Sequence, residues 1–303
     1  MNSTKKLTEG AMMCALIGAL LFMNRQSAGM IDFALYWIIP LPIIMYTIKY
    51  GIRDGSLVAV STILIAFIAG MPSGLYYSVL AAAVGLLYGH AVKKEREHHE
   101  LLMISCGVSI VSAFLMMFGF AALFGYNLAD DIAYLTETIK EIYGSAGLYV
   151  PESFYGFIPK LLILSNIVMG LIEGLLIHLL AYIVLTRFRI KIKKMKPINT
   201  LRLPKLWGYV LGFGYVGSTY LLNTGALNIS TDILYGVMLV SMLVLIANGY
   251  LCTVTILAYH KLKKFMWLLM FAFMPPFSAI LVVLGFTDSI SDVRDKMTIL
   301  KNR

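Results

Sequence analysis

The stretch FIPKLLILSNIVMGLIEGLLIHLLAYIVLTR, residues 157–187, decides the fold. Between Lys160 and Arg187 it carries one formally charged side chain, Glu173, and it lacks the strict apolar–polar alternation of a half-buried strand. An apolar run of this length reads as a membrane-spanning helix. About 20 residues cross the hydrocarbon core, and a helix satisfies its own backbone polar groups there.

Runs of the same kind lie outward from it at 7–24, 31–50, 55–71, 73–92, 101–126, 207–223, 232–260 and 265–286. The expected fold class is therefore all-α, a polytopic transmembrane helix bundle of about eight or nine spans. Composition agrees: the 303 residues are 59% apolar and only 14% charged, against about 25% charged in an ordinary soluble domain. So little charge leaves no coat for a soluble core, and the apolar content excludes a disordered chain. Cys14, Cys106 and Cys252 sit in separate apolar runs, which excludes a disulfide scaffold. The first run follows Lys5 and Lys6 as a signal peptide would. Arg25 stands where a cleavage site has no charge, so the run reads as an uncleaved helix.

The net charge of +9 is an orientation signal. Eighteen of the 25 Lys and Arg fall in one alternate set of loops, which places the N-terminus in the cytoplasm. The tail cations Arg294, Lys296, Lys301 and Arg303 argue weakly against an outward C-terminus, and Pro275-Pro276 is a candidate bend for a re-entrant hairpin. Residues 187–205 (RFRIKIKKMKPINTLRLPK) hold the densest basic run. It reads as an anchor on anionic lipid or as a docking patch for an acidic cytoplasmic protein. It lacks the aromatic interleaving and folded module of a nucleic-acid binder. The expected organisation is a bundle over 1–190 with an outer amphipathic segment at 126–157, a basic loop at 191–206 and a three-helix extension with a polar tail at 207–303.

In the first span Ala11, Ala15 and Ala19 repeat at intervals of four, with Gly18 beside them, so one helix face is lined with small side chains. This alanine-striped helix after a Lys-rich N-terminus resembles the membrane substrate-binding (S) components of energy-coupling-factor vitamin transporters. Pro40-Leu41-Pro42, Lys49-Tyr50-Gly51 with Gly55, and Gly85-Leu86-Leu87-Tyr88-Gly89 before Lys93-Lys94 continue the likeness. It covers residues 1–190, and it implies a six-span bundle whose alanine face docks a coupling transmembrane subunit served by a separate ATPase. Over the whole chain the sequence resembles the YybS-like family of uncharacterised bacterial membrane proteins. Pro40, Pro42 and the Tyr50-Gly51 turn carry this resemblance, with Pro159, Leu203-Pro204-Lys205-Leu206-Trp207, Gly285-Phe286-Thr287-Asp288, Asp292 and Arg294. That family implies a fold and a location but no activity.

Glu173 is the one acidic residue this reading places in mid-span. A carboxylate there is costly unless it is neutralised or paired. Asn166 lies two turns earlier on the same face, and Gly170 and Gly174 admit a close neighbour, helix or ligand. His178, five residues on, points elsewhere around the helix. Two readings stand: a ligand, cation or proton site, or a protonated structural Glu hydrogen-bonded in the core. In the outer segment Leu128, Ile132, Leu135, Ile139 and Ile142 repeat at helical spacing opposite Asp130, Asp131, Glu137 and Glu141. This helix is either a lid over an outward cavity or a loop helix resting on the bundle. Asn24, Arg25, Gln26 and Asp32 line the same mouth or simply meet water. Tyr76 and Tyr77 belong to the interface belt or to the cavity wall.

Metal and enzymatic templates find no match. There is no C-x-x-C, H-E-x-x-H, G-x-S-x-G or P-loop, and His98-His99 falls in a charged loop segment. The expectation is a small-molecule-binding, transport-associated membrane protein that is not an enzyme, needs no cofactor and binds no metal. The alternative is a membrane scaffold that recruits partners through its basic loop.

Overall fold

The computed structural model describes residues 3–69, 72–120, 125, 127–147, 150–193, 203–225, 229–260, 262, 264–265, 277–291 and 293–294. The chain divides into two compact units, Met1–Lys194 and Met195–Arg303.

The first unit holds α1 (Ser3–Gln26), α2 (Asp32–Ile38), α3 (Pro40–Tyr50), α4 (Ile52–Ala69), α5 (Pro72–Lys93), α6 (His98–Phe114), α7 (Leu128–Ser145) and α8 (Glu152–Arg187). A π-helical segment, Leu115–Phe120, prolongs α6. α2 and α3 would be one helix but for two prolines. Pro40 and Pro42 have no N–H to give the carbonyls of Tyr36 and Ile38, so the run breaks at Ile39. α3 stops at Gly51, whose φ of +95° a side chain would strain. α5 is the most enclosed helix, and Gly85 and Gly89 let Ile43 and Thr47 of α3 lie directly on it.

Two buried clusters form the core of this unit. One joins Tyr36, Tyr76, Leu80, Val84 and Tyr88 to Leu101, Ile177 and Leu185. The other joins Ile17, Leu21, Leu35, Ile39 and Ile43 to Val58 and Ala81. Large apolar side chains such as Leu57, Phe67, Ile68 and Met103 remain exposed, as a lipid-facing surface requires. At the lysine-rich end α1 is tied down by Lys6–Asp54 (2.7 Å) and by Glu9, which receives Lys49 at 2.5 Å and the Tyr50 hydroxyl at 2.8 Å.

The second unit holds α9 (Lys205–Thr224), α10 (Thr231–Tyr259) and α11 (Phe277–Ser291). α10 and α11 cross at backbone contact. A Cβ on Gly249 would run into the carbonyl of Leu281, and one on Gly285 into that of Leu245. Leu245, Ile246, Leu281 and Val282 form the core around this crossing.

Among the described residues, six helices are long and apolar enough to cross a membrane: α1, α4, α5, α6 with its π extension, α8 and α10. Ala34–Tyr50 and Phe277–Ser291 are shorter apolar helices. α9, expected as a span at 207–223, forms over its length but is not among the six. Gly208, Gly212, Gly214, Gly217, Ser218 and Thr219 dilute its apolar character. The expected hairpin at Pro275-Pro276, most of the basic loop at 191–206, Asp292 and the tail cations after Arg294 lie outside the described residues.

Candidate functional site

Glu173 is positioned by the glycines around it. Gly170 and Gly174 lie against the backbone of α6: a Cβ on Gly170 would come within 2.7 Å of Ile110 Cα, and one on Gly174 within 2.8 Å of the Ser105 carbonyl carbon. The space these glycines leave is therefore filled by a neighbouring helix. Residues one apart on a helix differ by about 100° in direction, so Glu173 is carried off the α6 contact and meets α2. There Tyr36 is a neighbour of both the Glu173 carboxyl and Tyr76.

Tyr36 is held in a cluster of three tyrosines. Its ring lies 6.2 Å from that of Tyr76 and 5.8 Å from that of Tyr77, at 46° and 77°; Tyr76 and Tyr77 are 5.6 Å apart. Such tilted and edge-on pairs are the favoured aromatic geometries. Tyr36 is 6% exposed, yet its hydroxyl completes no hydrogen bond. A buried polar group left in this state costs about 1–3 kcal/mol. Glu173 itself is half-buried, and among the described residues no cationic side chain acts on it.

A second carboxylate stands on the other side of the cluster. Asp32 opens α2, where the helix dipole favours an acid. It accepts from Asn24 Nδ2 at 2.5 Å and from Ser73 Oγ at 3.1 Å, and its field reaches Tyr77. Asn24 is 1% exposed, so it belongs to the interior and not to the solvated surface. Arg25 does stay at the surface, where its guanidinium donates to the Ala69 carbonyl at 2.9 Å. Tyr76 is buried and Tyr77 half-buried, which takes them out of an interface belt and into the bundle.

Asn166 is engaged elsewhere. Its amide donates to the Leu162 carbonyl at 3.0 Å and to Met117 Sδ at 3.5 Å, toward the π segment. Ala11, Ala15 and Ala19 are exposed on α1, whose close contact inside the unit uses Gly10 against Tyr46 and Val58. α7 forms as the apolar period demands, with Asn127 capping it through Ala129 N–H at 3.1 Å. It rests on α8, with Lys140 above the Tyr155 ring at 4.7 Å.

Tyr36 and Asn248 were not singled out by sequence, and His98, His178, Asp288 and Arg294 were named there without the partners the structure gives them. Tyr36 is the foremost; its signal was the Pro40/Pro42 break that sets α2 apart. His178 is buried, shares a 2.9 Å hydrogen bond with the Tyr88 hydroxyl and meets His98, which turns inward while His99 stays exposed. In the second unit Arg294, fully buried, donates to Asp288 at 2.6 and 2.9 Å and to Asn248 Oδ1 at 2.7 Å. Asn248, a lone amide in the middle of α10, was the sequence signal for that network.

At the lysine-rich end Lys193 pairs with Glu97 at 2.5 Å and holds its carboxyl below the usual carboxylate range. A cleft of about 190 Å³ opens there between Val92, Arg96, Leu101 and Lys191.

Helices of spanning length, an exposed apolar surface and a carboxyl in the middle of a span define a multi-pass integral membrane protein. The chain belongs to the family described as "Predicted membrane protein (DUF2232)", which it matches over residues 16–289. It is similar to "Uncharacterized protein YybS" of Bacillus subtilis (strain 168), with 27% identity over 219 residues covering 68% of this chain and 70% of that protein. This confirms the YybS-like resemblance. No solved structure matches the chain.

Proposed function

We propose that the protein is a small-molecule-binding component of the bacterial plasma membrane, associated with transport and not itself an enzyme. The observation that carries this reading is the placement of Glu173: a carboxyl in a spanning helix, facing a buried tyrosine hydroxyl that has no hydrogen-bond partner. Intramembrane acids of this kind mark ligand and ion pathways. With the N-terminus in the cytoplasm, the short loops beside Asn24, Asp32 and Ser73 face outward and Tyr76, Tyr77 and Glu173 lie below them. The exposed face of Ala11, Ala15 and Ala19 supports an S-component-like role, since a small-residue face admits the helix of a coupling subunit.

Native mass spectrometry of the protein purified in mild detergent from its own membranes tests this. A retained small molecule that is lost in Glu173→Gln is the expected result. A bare protein mass, with no compound stabilising the fold, would refute it.

The scaffold reading draws on one observation: Arg187, Arg189 and Lys191 are exposed, and Lys191 lines the cleft at the lysine-rich end. Neutralising them would then release an acidic cytoplasmic partner while small-molecule binding persists.

A further inference from the structure

We infer that the ligand of the Glu173 site is an organic cation, a quaternary or protonated amine, held between the Tyr36, Tyr76 and Tyr77 rings and the Glu173 and Asp32 carboxyls. This rests on the binding role proposed above and names the chemical class that the site takes.

The first ground is charge. Asp32 and Glu173 both act on the tyrosine cluster, and among the described residues their neighbours are uncharged: Asn24 and Ser73 bond to Asp32, and Tyr36 lies next to Glu173. Arg25, the nearest basic residue in sequence to Asp32, is drawn away to the Ala69 carbonyl. The second unit shows the alternative within the same chain, since buried Asp288 is matched there by Arg294. Around the tyrosines no basic side chain among the described residues performs that part, and a cationic ligand does.

The second ground is the rings. An aromatic face attracts a cation within about 6 Å of its centroid, and clustered aromatic side chains recognise quaternary ammonium groups in this way. Three tyrosines from two helices stand within 5.6–6.2 Å of one another and are mutually tilted, so the cluster offers both ring faces and ring edges. A polar neutral ligand would ask for donors and acceptors; these rings present mainly π surface. The third ground is Tyr36, a residue 94% buried whose hydroxyl completes no hydrogen bond and which has Glu173 as a neighbour. It is a ready acceptor for a protonated amine, or for a hydroxyl carried beside a quaternary nitrogen.

The test uses the full chain in detergent micelles and two probes of one shape: choline, and its uncharged isostere with carbon in place of the quaternary nitrogen. Binding is read by thermal stabilisation and by native mass spectrometry. Choline is expected to bind and the isostere to bind at least about tenfold more weakly. Glu173→Gln and Tyr36→Leu should each weaken choline on the order of tenfold. Tyr36→Phe keeps the ring but removes the hydroxyl, so it should weaken choline less than Tyr36→Leu does, and thermal unfolding of each variant without probe, unchanged from wild type, excludes loss of fold as the explanation. Equal binding of both probes overturns the cation assignment and leaves the binding role standing. Failure of choline to bind, while a neutral molecule copurifies in a Glu173-dependent way, does the same. If neither probe binds and nothing copurifies, both readings fail.

Discussion

Replacing Gly174 by alanine tests how the site is positioned, because the cost is set by backbone atoms that cannot rotate away. The added Cβ would stand 2.8 Å from the Ser105 carbonyl carbon and closer still to the Cys106 backbone. Ordinary carbon contacts are about 3.5–4.0 Å, so α6 and α8 must part by roughly 1 Å, and a gap of that size forfeits about a quarter to a half of each dispersion contact. Overpacking of this sort costs about 1–3 kcal/mol. Alanine's better helix propensity returns up to about 1 kcal/mol. The expected net loss is about 1–2 kcal/mol. Gly107→Ala is the matched control: it lies on α6, and an added Cβ there meets nothing within 4 Å. It should gain up to about 1 kcal/mol. The two variants therefore differ by about 1–3 kcal/mol. For a unit of this size the gap in Tm is about 2–12 °C. Thermal unfolding in detergent, followed by tryptophan fluorescence, measures it. Equal Tm values for the two variants would refute the claim that these glycines set the α6–α8 crossing and, through it, the direction of Glu173.

In the second unit, Asp288→Asn leaves Arg294 buried without its counter-charge and should cost about 3–5 kcal/mol, whereas the double variant Asp288→Leu/Arg294→Met should recover most of it. Additive losses across wild type, Asp288→Leu, Arg294→Met and the double variant would show that the pair is not coupled. At the lysine-rich end, Glu97 has a folded-state pKa lowered by Lys193, so the pair contributes above the unfolded carboxyl's value and its contribution is lost as pH falls through the folded one. The stability gap between wild type and Glu97→Gln should therefore close below about pH 4.5, and narrow in high salt; a gap that persists at lower pH contradicts it. Substituting leucine for Ala11, Ala15 and Ala19 together should leave the unit's own Tm nearly unchanged, since all three are exposed, while abolishing copurification of any coupling subunit. A large drop in Tm would mean that this face packs inside the protein.

The spans were legible because lipid imposes one rule on every crossing segment: the backbone must satisfy itself within an apolar run. α1, α4, α5, α8 and α10 follow from that rule alone, and α7 follows from its apolar period. What eluded sequence reading was pairing across distance. Tyr36 and Glu173 stand on helices far apart in the chain, and no local pattern announces that the Pro40/Pro42 break turns one toward the other. Asn166, on Glu173's own helix and seemingly its natural companion, bonds to Leu162 and Met117 instead. Arg294 was counted with the tail cations as a topological charge, although burial against Asp288 and Asn248 removes it from that role.

The contrast between those two charged centres is what directs attention to the first unit. Arg294 is an expensive charge whose cost is answered within the fold, by a carboxylate and an amide at hydrogen-bonding distance. A fold-stabilising or register-setting role accounts for it fully. Glu173 is also out of place in an apolar helix, but its neighbours are tyrosines, and one of them leaves a buried hydroxyl unused. A structural carboxyl would be expected to complete the hydrogen bond offered to it. Under the proposed binding role, the ligand completes that bond beside the three aromatic rings and Asp32.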